Sequence, residues 1–206
     1  MPRVPTGGPD GNERLTATIG LVLVGLLGVE AATTLSLHDL LAMHVFLGMV
    51  LLPVVALKLA STSWRFARYY TRNTEYRLKG PPRLLLRALA PLLVASTVVL
   101  FGTGVAFLVV GRGGGLLLTA HAASFVVWGV LVALHTLAYL RRIGTDGLSD
   151  WRPRTFRLDG ASLRRSVVLA ALAGGVVVGV ATYSVQRGWL AHRSNHHQHP
   201  SVSAQR

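Results

Sequence analysis

Five long apolar runs, separated by short polar or basic stretches, organise the 206-residue chain. They cover roughly residues 15–35, 40–61, 84–110, 116–140 and 165–186. Leu, Val, Ala and Gly dominate them, with little of the alternation that marks a half-buried strand. About 20 helical residues, at ~1.5 Å each, cross a ~30 Å hydrocarbon layer, and every run is long enough. The pattern predicts an all-α integral membrane bundle of about five transmembrane helices, a four-helix core plus one. Residues 1–13 (MPRVPTGGPDGNE), rich in Pro and Gly, are expected to be a disordered lead-in. The bundle is expected over 14–187, and a flexible His-rich tail over 188–206.

A mean hydropathy of +0.47 and only 14% charged residues agree with a membrane bundle rather than a soluble core. The net charge of +13 would suit nucleic acid, but its placement argues against that partner. Arg65, Arg68, Arg72, Arg77, Lys79 and Arg83 crowd one connection, and Arg141, Arg142, Arg152, Arg154, Arg157, Arg164 and Arg165 another. The alternate connections carry no base at 34–39 and only Arg112 at 111–115. This is the positive-inside pattern, which predicts a plasma-membrane protein with a cytoplasmic N-terminus and an external C-terminus. Trp64, Phe66, Tyr69 and Tyr70, interleaved with arginines, read as an interfacial anchor, with a docking surface for a soluble redox partner as the other reading. Val29-Glu30-Ala31 loosely resembles a signal cleavage site, and the remaining four spans would still form a bundle. With no cysteine, thiolate-ligated clusters, covalent c-type haem and CxxC redox pairs are excluded.

The candidate chemistry is histidine within the spans. His121 and His135 sit fourteen residues apart in LLLTAHAASFVVWGVLVALHTLAYL. At ~100° per residue both rings share one helix face, about 21 Å apart along the axis. His44 in the second span and His121 in the fourth each lie about a turn inside the outer ends of like-directed helices, so they share a depth. Two imidazoles so placed can ligate one haem iron. Lys58, fourteen residues after His44, matches the depth of His135. It reads as a ligand or propionate contact of a second haem, or as a side chain snorkelling to the inner headgroups. Gly48, in HxxxG after His44, and Gly129, two turns after His121, offer the close approach a porphyrin needs. Gly102 and Gly104 suit a neighbouring helix or flat ring, and Ser124 and Thr136 could orient an imidazole. Arg87 reads as snorkelling, or as pairing with a carboxylate or propionate. His38 reads as interfacial. His192, His196, His197 and His199 belong to the tail, with weak metal binding as an alternative to plain solvation.

On these residues the chain resembles the transmembrane b-type cytochromes, the b561-like proteins and the di-haem membrane subunits of respiratory enzymes. The likeness rests on the His121/His135 spacing and on His44 in HxxxG, and covers about residues 36–142. It implies haem b, one group at His44/His121 and a second at His135 left open, because Lys58 stands where a second histidine would be expected. It also implies electron transfer, with quinone or a separate redox subunit as partner. HDLLAMHVFLGMVLLP, RYY with KGPP, and HAASFVVW also resemble a group of actinobacterial membrane proteins, a likeness that implies kinship and no activity. No soluble catalytic domain is visible, so an electron carrier is expected rather than a stand-alone enzyme. The competing classes are a metal or proton transporter using the intramembrane His and Lys, and a non-redox membrane scaffold.

Overall fold

The computed structural model describes residues 7–80, 84–110, 115–153 and 158–185. They form α1 (Gly8–Thr34), α2 (Leu37–Tyr70), α3 (Thr74–Leu78), α4 (Leu84–Val110), α5 (Leu116–Asp146), a 3-10 turn (Ser149–Trp151) and α6 (Ala161–Ala181). The described residues contain no strand. Five helices, all but α3, are long and apolar enough to cross a membrane, and the chain is a multi-pass, all-α membrane bundle.

Two boundaries differ from expectation. The lead-in is not irregular throughout: α1 begins at Gly8, after Gly7 in the left-handed conformation and with Pro at the start of the helix. A proline there gives up an N–H that has no helical partner anyway, and Asp10 in the first turn suits the positive helix end. Residues 1–6 and the tail from 186 lie outside the described residues. The second helix does not stop near 61 but continues to Tyr70, with Trp64, Phe66 and Tyr70 exposed along it. Arg68 lies over the Trp64 ring at 5.1 Å, as interfacial aromatic and basic residues commonly pair. Thirty-four residues reach about 51 Å, well beyond one hydrocarbon layer.

The extensive interfaces are α1 with α2, α2 with α6, and α4 with α5. Smaller ones join α1 to α5 and α2 to α4. Helices α1, α2, α4 and α5 therefore form a ring, with α2 and α5 across its diagonal and not closely packed, and α6 outside against α2 and α1. Ile19, Val54 and Val168 make the tightest apolar core where α1, α2 and α6 meet. Gly175 and Gly179 let α6 come close to α2, the first against the Val50 carbonyl and the second against the Phe46 ring.

Ion pairs concentrate at the end of the bundle that holds the basic connections. Glu13 of α1 is met by Arg65 of α2 at 3.0 Å, by Lys79 at 3.2 Å and by Arg142 of α5. Lys79 also pairs with Asp10, and that hydrogen bond, helped by Glu13, holds its pKa above the ordinary lysine value despite partial desolvation. Asp150 is buried and takes a bidentate pair from Arg164, Nε at 2.5 Å and Nη2 at 2.7 Å. Arg87 is exposed, donates to the Tyr70 hydroxyl at the end of α2 and lies over that ring at 5.5 Å; among the described residues no carboxylate pairs with it.

Candidate functional site

His44 stands about two turns into α2, on the side that meets α1. The connection between these helices is only Leu35 and Ser36, so the last turn of α1 is its neighbour. Its Nδ1 is 3.0 Å from Glu30 Oε1 and 3.0 Å from Thr33 Oγ1. The Thr33 hydroxyl, on a residue only 1% exposed, donates its hydrogen to the Glu30 carbonyl at 2.6 Å. A hydroxyl has one hydrogen to give, so toward His44 the Thr33 oxygen acts as acceptor. His44 must then carry its proton on Nδ1, which leaves the Nε2 lone pair for another partner.

The same logic holds for His121 on α5. Its Nδ1 is 2.9 Å from Thr103 Oγ1 of α4. That hydroxyl is already directed to the α4 backbone, 2.8 Å from the Val99 carbonyl and 2.9 Å from that of Leu100. His121 is therefore also the Nδ1–H tautomer. Phe107 stands edge-on to its ring, centroids 5.6 Å apart, and Gly104 lies beside it, where an added Cβ would sit 3.5 Å from Cε1. At 3.5 Å this is ordinary van der Waals contact, and Gly102 has no neighbour within 4 Å of that position. Ser124 does not orient an imidazole: its hydroxyl donates to the His121 backbone carbonyl at 2.9 Å.

His44 and His121 each lie within about two turns of the start of like-directed helices, at the same end of the bundle. Their helices face across the ring without close packing. Contacts of α5 with α1 gather at the far, basic end, where Thr18 donates to the Gly147 carbonyl at 2.9 Å and Ile143 lies against Gly20. Gly48 borders Glu30, 3.8 Å from an added Cβ, rather than a gap, whereas Gly129 has no neighbour within 4 Å of that position.

His135 and Lys58 both lie in the halves of α5 and α2 nearer the basic end. Lys58 does not snorkel outward: its Nζ donates to the Thr16 carbonyl of α1 at 2.7 Å, beside Gly20. His135 stacks obliquely on Tyr139 at 4.9 Å, and its Nδ1 is buried with no hydrogen-bond partner. His38 is exposed and lies 3.0 Å from Asp39.

Three residues that matter here, Glu30, Thr33 and Thr103, were not singled out as histidine partners by sequence. Glu30 lies four residues before the end of α1 and reads as an interfacial carboxylate, yet its side chain is only 15% exposed. The signal available was the two-residue connection, which forces the ends of α1 and α2 side by side. Two surface concavities, about 520 and 410 Å³, lie by α3 near Gly8 and Glu75 and not at the histidines. Among the described residues no three His, Asp or Glu side chains converge as a metal cage. No protein-family model, no curated protein and no solved structure matches this chain.

Proposed function

We propose that this protein is a membrane-bound electron-transfer protein that holds a b-type haem between His44 and His121. One observation carries the reading: two imidazoles near the same end of the bundle, each with its Nδ1 against a threonine hydroxyl, on helices that face each other without packing together. Both rings keep the Nε2 lone pair that an axial ligand needs, and both have the hydrogen-bonded Nδ1 that usually orients such a ligand. The residues present therefore fit the group. A bis-histidine haem supplies a one-electron couple with no open coordination site.

The chain's own part is orientation and exclusion of water. Thr33 sets the rotation of the His44 ring, with Glu30 Oε1 3.0 Å from the same nitrogen, and Thr103 and Phe107 set that of His121. Gly129 leaves room on α5 between the two histidine levels. A second haem at His135 would need a different partner on α2, because Lys58 is committed to Thr16. The reading accordingly places one haem, near the end opposite the basic connections. With those connections in the cytoplasm, that end is the external face of the plasma membrane. Quinone or a separate redox subunit would supply or accept the electron.

The test is a reduced-minus-oxidised visible spectrum of the detergent-purified protein, with pyridine haemochrome quantitation, on wild type and on His44→Ala, His121→Ala and His135→Ala. A b-type alpha band at one haem per chain, lost in the first two variants and kept in the third, is the expected result. A colourless wild type expressed with ample haem overturns the reading. A second reading, proton translocation, is favoured by the half-buried pair of Glu30 and His44, whose Glu30 Oε2 has no hydrogen-bond partner among the described residues. Proton flux into liposomes carrying the colourless protein, abolished by Glu30→Gln, would put it first.

A further inference from the structure

Two sets of bases share the basic end of the bundle. Arg65, Lys79, Arg142 and Arg164 are taken by the carboxylates of Asp10, Glu13 and Asp150. Arg68 of α2 and Arg87 of α4 are exposed, and among the described residues no carboxylate pairs with either. Aromatic rings hold them instead: Arg68 lies over Trp64 at 5.1 Å, and Arg87 lies over Tyr70 at 5.5 Å and donates to its hydroxyl. A ring cancels no charge, and it leaves N–H groups at the guanidinium edge for a planar, bidentate acceptor such as phosphate.

The depth of this surface follows from α4. Arg87 stands in the first turn of that membrane-crossing helix, so its contact with Tyr70 brings the last turn of α2 to the membrane edge. At about 51 Å, α2 outruns the ~30 Å hydrocarbon layer and exceeds even the ~40–45 Å of a bilayer with its headgroups. Its last turns therefore lie among headgroups. Trp64, Phe66 and Tyr70 are exposed there, as suits rings in a half-wet layer.

We infer that the end of α2 and the start of α4 bind anionic phospholipid headgroups of the leaflet at the basic end, with Arg68 and Arg87 as separate phosphate forks. Trp64 and Arg68 are four residues apart, as are Phe66 and Tyr70, and the two pairs are offset by two residues, about 200° round the helix. The forks thus serve different lipids. A zwitterionic headgroup brings its own ammonium against these cations, whereas an anionic one does not.

Native mass spectrometry of the detergent-purified full chain, titrated with phosphatidylglycerol or phosphatidylcholine, should show tighter binding of the first. Arg68→Gln and Arg87→Gln should each weaken phosphatidylglycerol binding about fivefold, and independently, as one cation near an anionic surface is worth. Lysine at either position keeps the charge but not the fork and should give an intermediate loss. Equal binding of the two lipids, full binding in the double glutamine variant, or lysine variants equal to wild type overturns the inference. Poly-glutamate should not bind the protein in phosphatidylglycerol nanodiscs. Binding there that needs Arg68 and Arg87 would make this a face for an acidic protein and overturn the lipid assignment. One measurement needs no arginine variant: chain-brominated phosphatidylglycerol should quench Trp64, read as wild type minus Trp64→Phe, more than equally brominated phosphatidylcholine at the same mole fraction. Equal quenching overturns the inference even if the arginine variants do not fold.

Discussion

Trp128 of α5 donates its indole N–H to the hydroxyl of Thr97 on α4 at 3.0 Å, and both residues are almost fully buried. Trp128 lies seven residues after His121 and seven before His135, so all three share one helix face. The bond therefore sets the rotation of the helix face that carries both histidines. Thr97→Val keeps the volume and strands the indole N–H in an apolar seam. The expected loss is about 1 kcal/mol of stability, within the range for hydrogen bonds between membrane helices. A double-mutant cycle with Trp128→Phe in detergent unfolding should return that coupling, and a coupling of zero would mean that the pair only fills space.

The close approach of α6 to α2 gives a paired test. An added Cβ at Gly175 would stand 2.3 Å from the Val50 carbonyl oxygen, whereas at Gly174 it would meet nothing within 4 Å. Gly175→Ala must push the helices apart and should cost about 1–3 kcal/mol. Gly174→Ala should be neutral or stabilising by up to about 1 kcal/mol, as Ala favours helix. Thermal unfolding in detergent that ranks the two the other way would reject the packing described for α2 and α6.

Asp150 distinguishes a buried ion pair from a peripheral one. It is held bidentately by buried Arg164, and Arg14 approaches it only to 3.6 Å from a more exposed position. Asp150→Asn removes the charge while the Leu158 and Asp159 carbonyls still accept from Arg164, and should cost about 3 kcal/mol or more. Arg14→Ala should cost less than Asp150→Asn. Comparable losses in the two variants, read from detergent unfolding curves, would refute this division.

Lys79 ties α3 to α1 with a defined pH signature. Its folded pKa lies above the unfolded value of about 10.4, so its contribution is complete below that pH. It is lost as pH climbs through the higher folded value. The side chain is about one-third exposed, so solvent screens the effect and local loosening is expected rather than unfolding. Limited proteolysis within residues 71–80 should accelerate above about pH 10.4 in wild type. Lys79→Met should be cleaved at the faster rate already at neutral pH. A pH-independent rate in wild type would show that the pair does not order α3.

Periodicity and run length made the five spans and the shared face of His121 and His135 legible, because both depend only on positions along one helix. What lay between helices was not legible. His44 and Glu30 meet only because α1 and α2 turn back within two residues, and Thr103 reaches His121 only through the pairing of α4 with α5. Lys58 shows the same gap: its depth follows from spacing, but its partner is a backbone carbonyl of α1, which has no sequence signature. Composition misplaced the start of α1, since Pro and Gly that suggest disorder also mark a helix beginning.

The meeting of Glu13 with Arg65, Lys79 and Arg142 also has a timetable. Arg142 is synthesised about 130 residues after Glu13, roughly 6 to 26 s later at 5–20 residues per second. Until then the first helix sits in the bilayer with its carboxylate served by the second helix and its short extension alone, and the ring stays open on the side that α5 closes. Cross-linking between positions 13 and 65 should be present in ribosome-bound chains halted before residue 142, and cross-linking between 13 and 142 only in chains released beyond it.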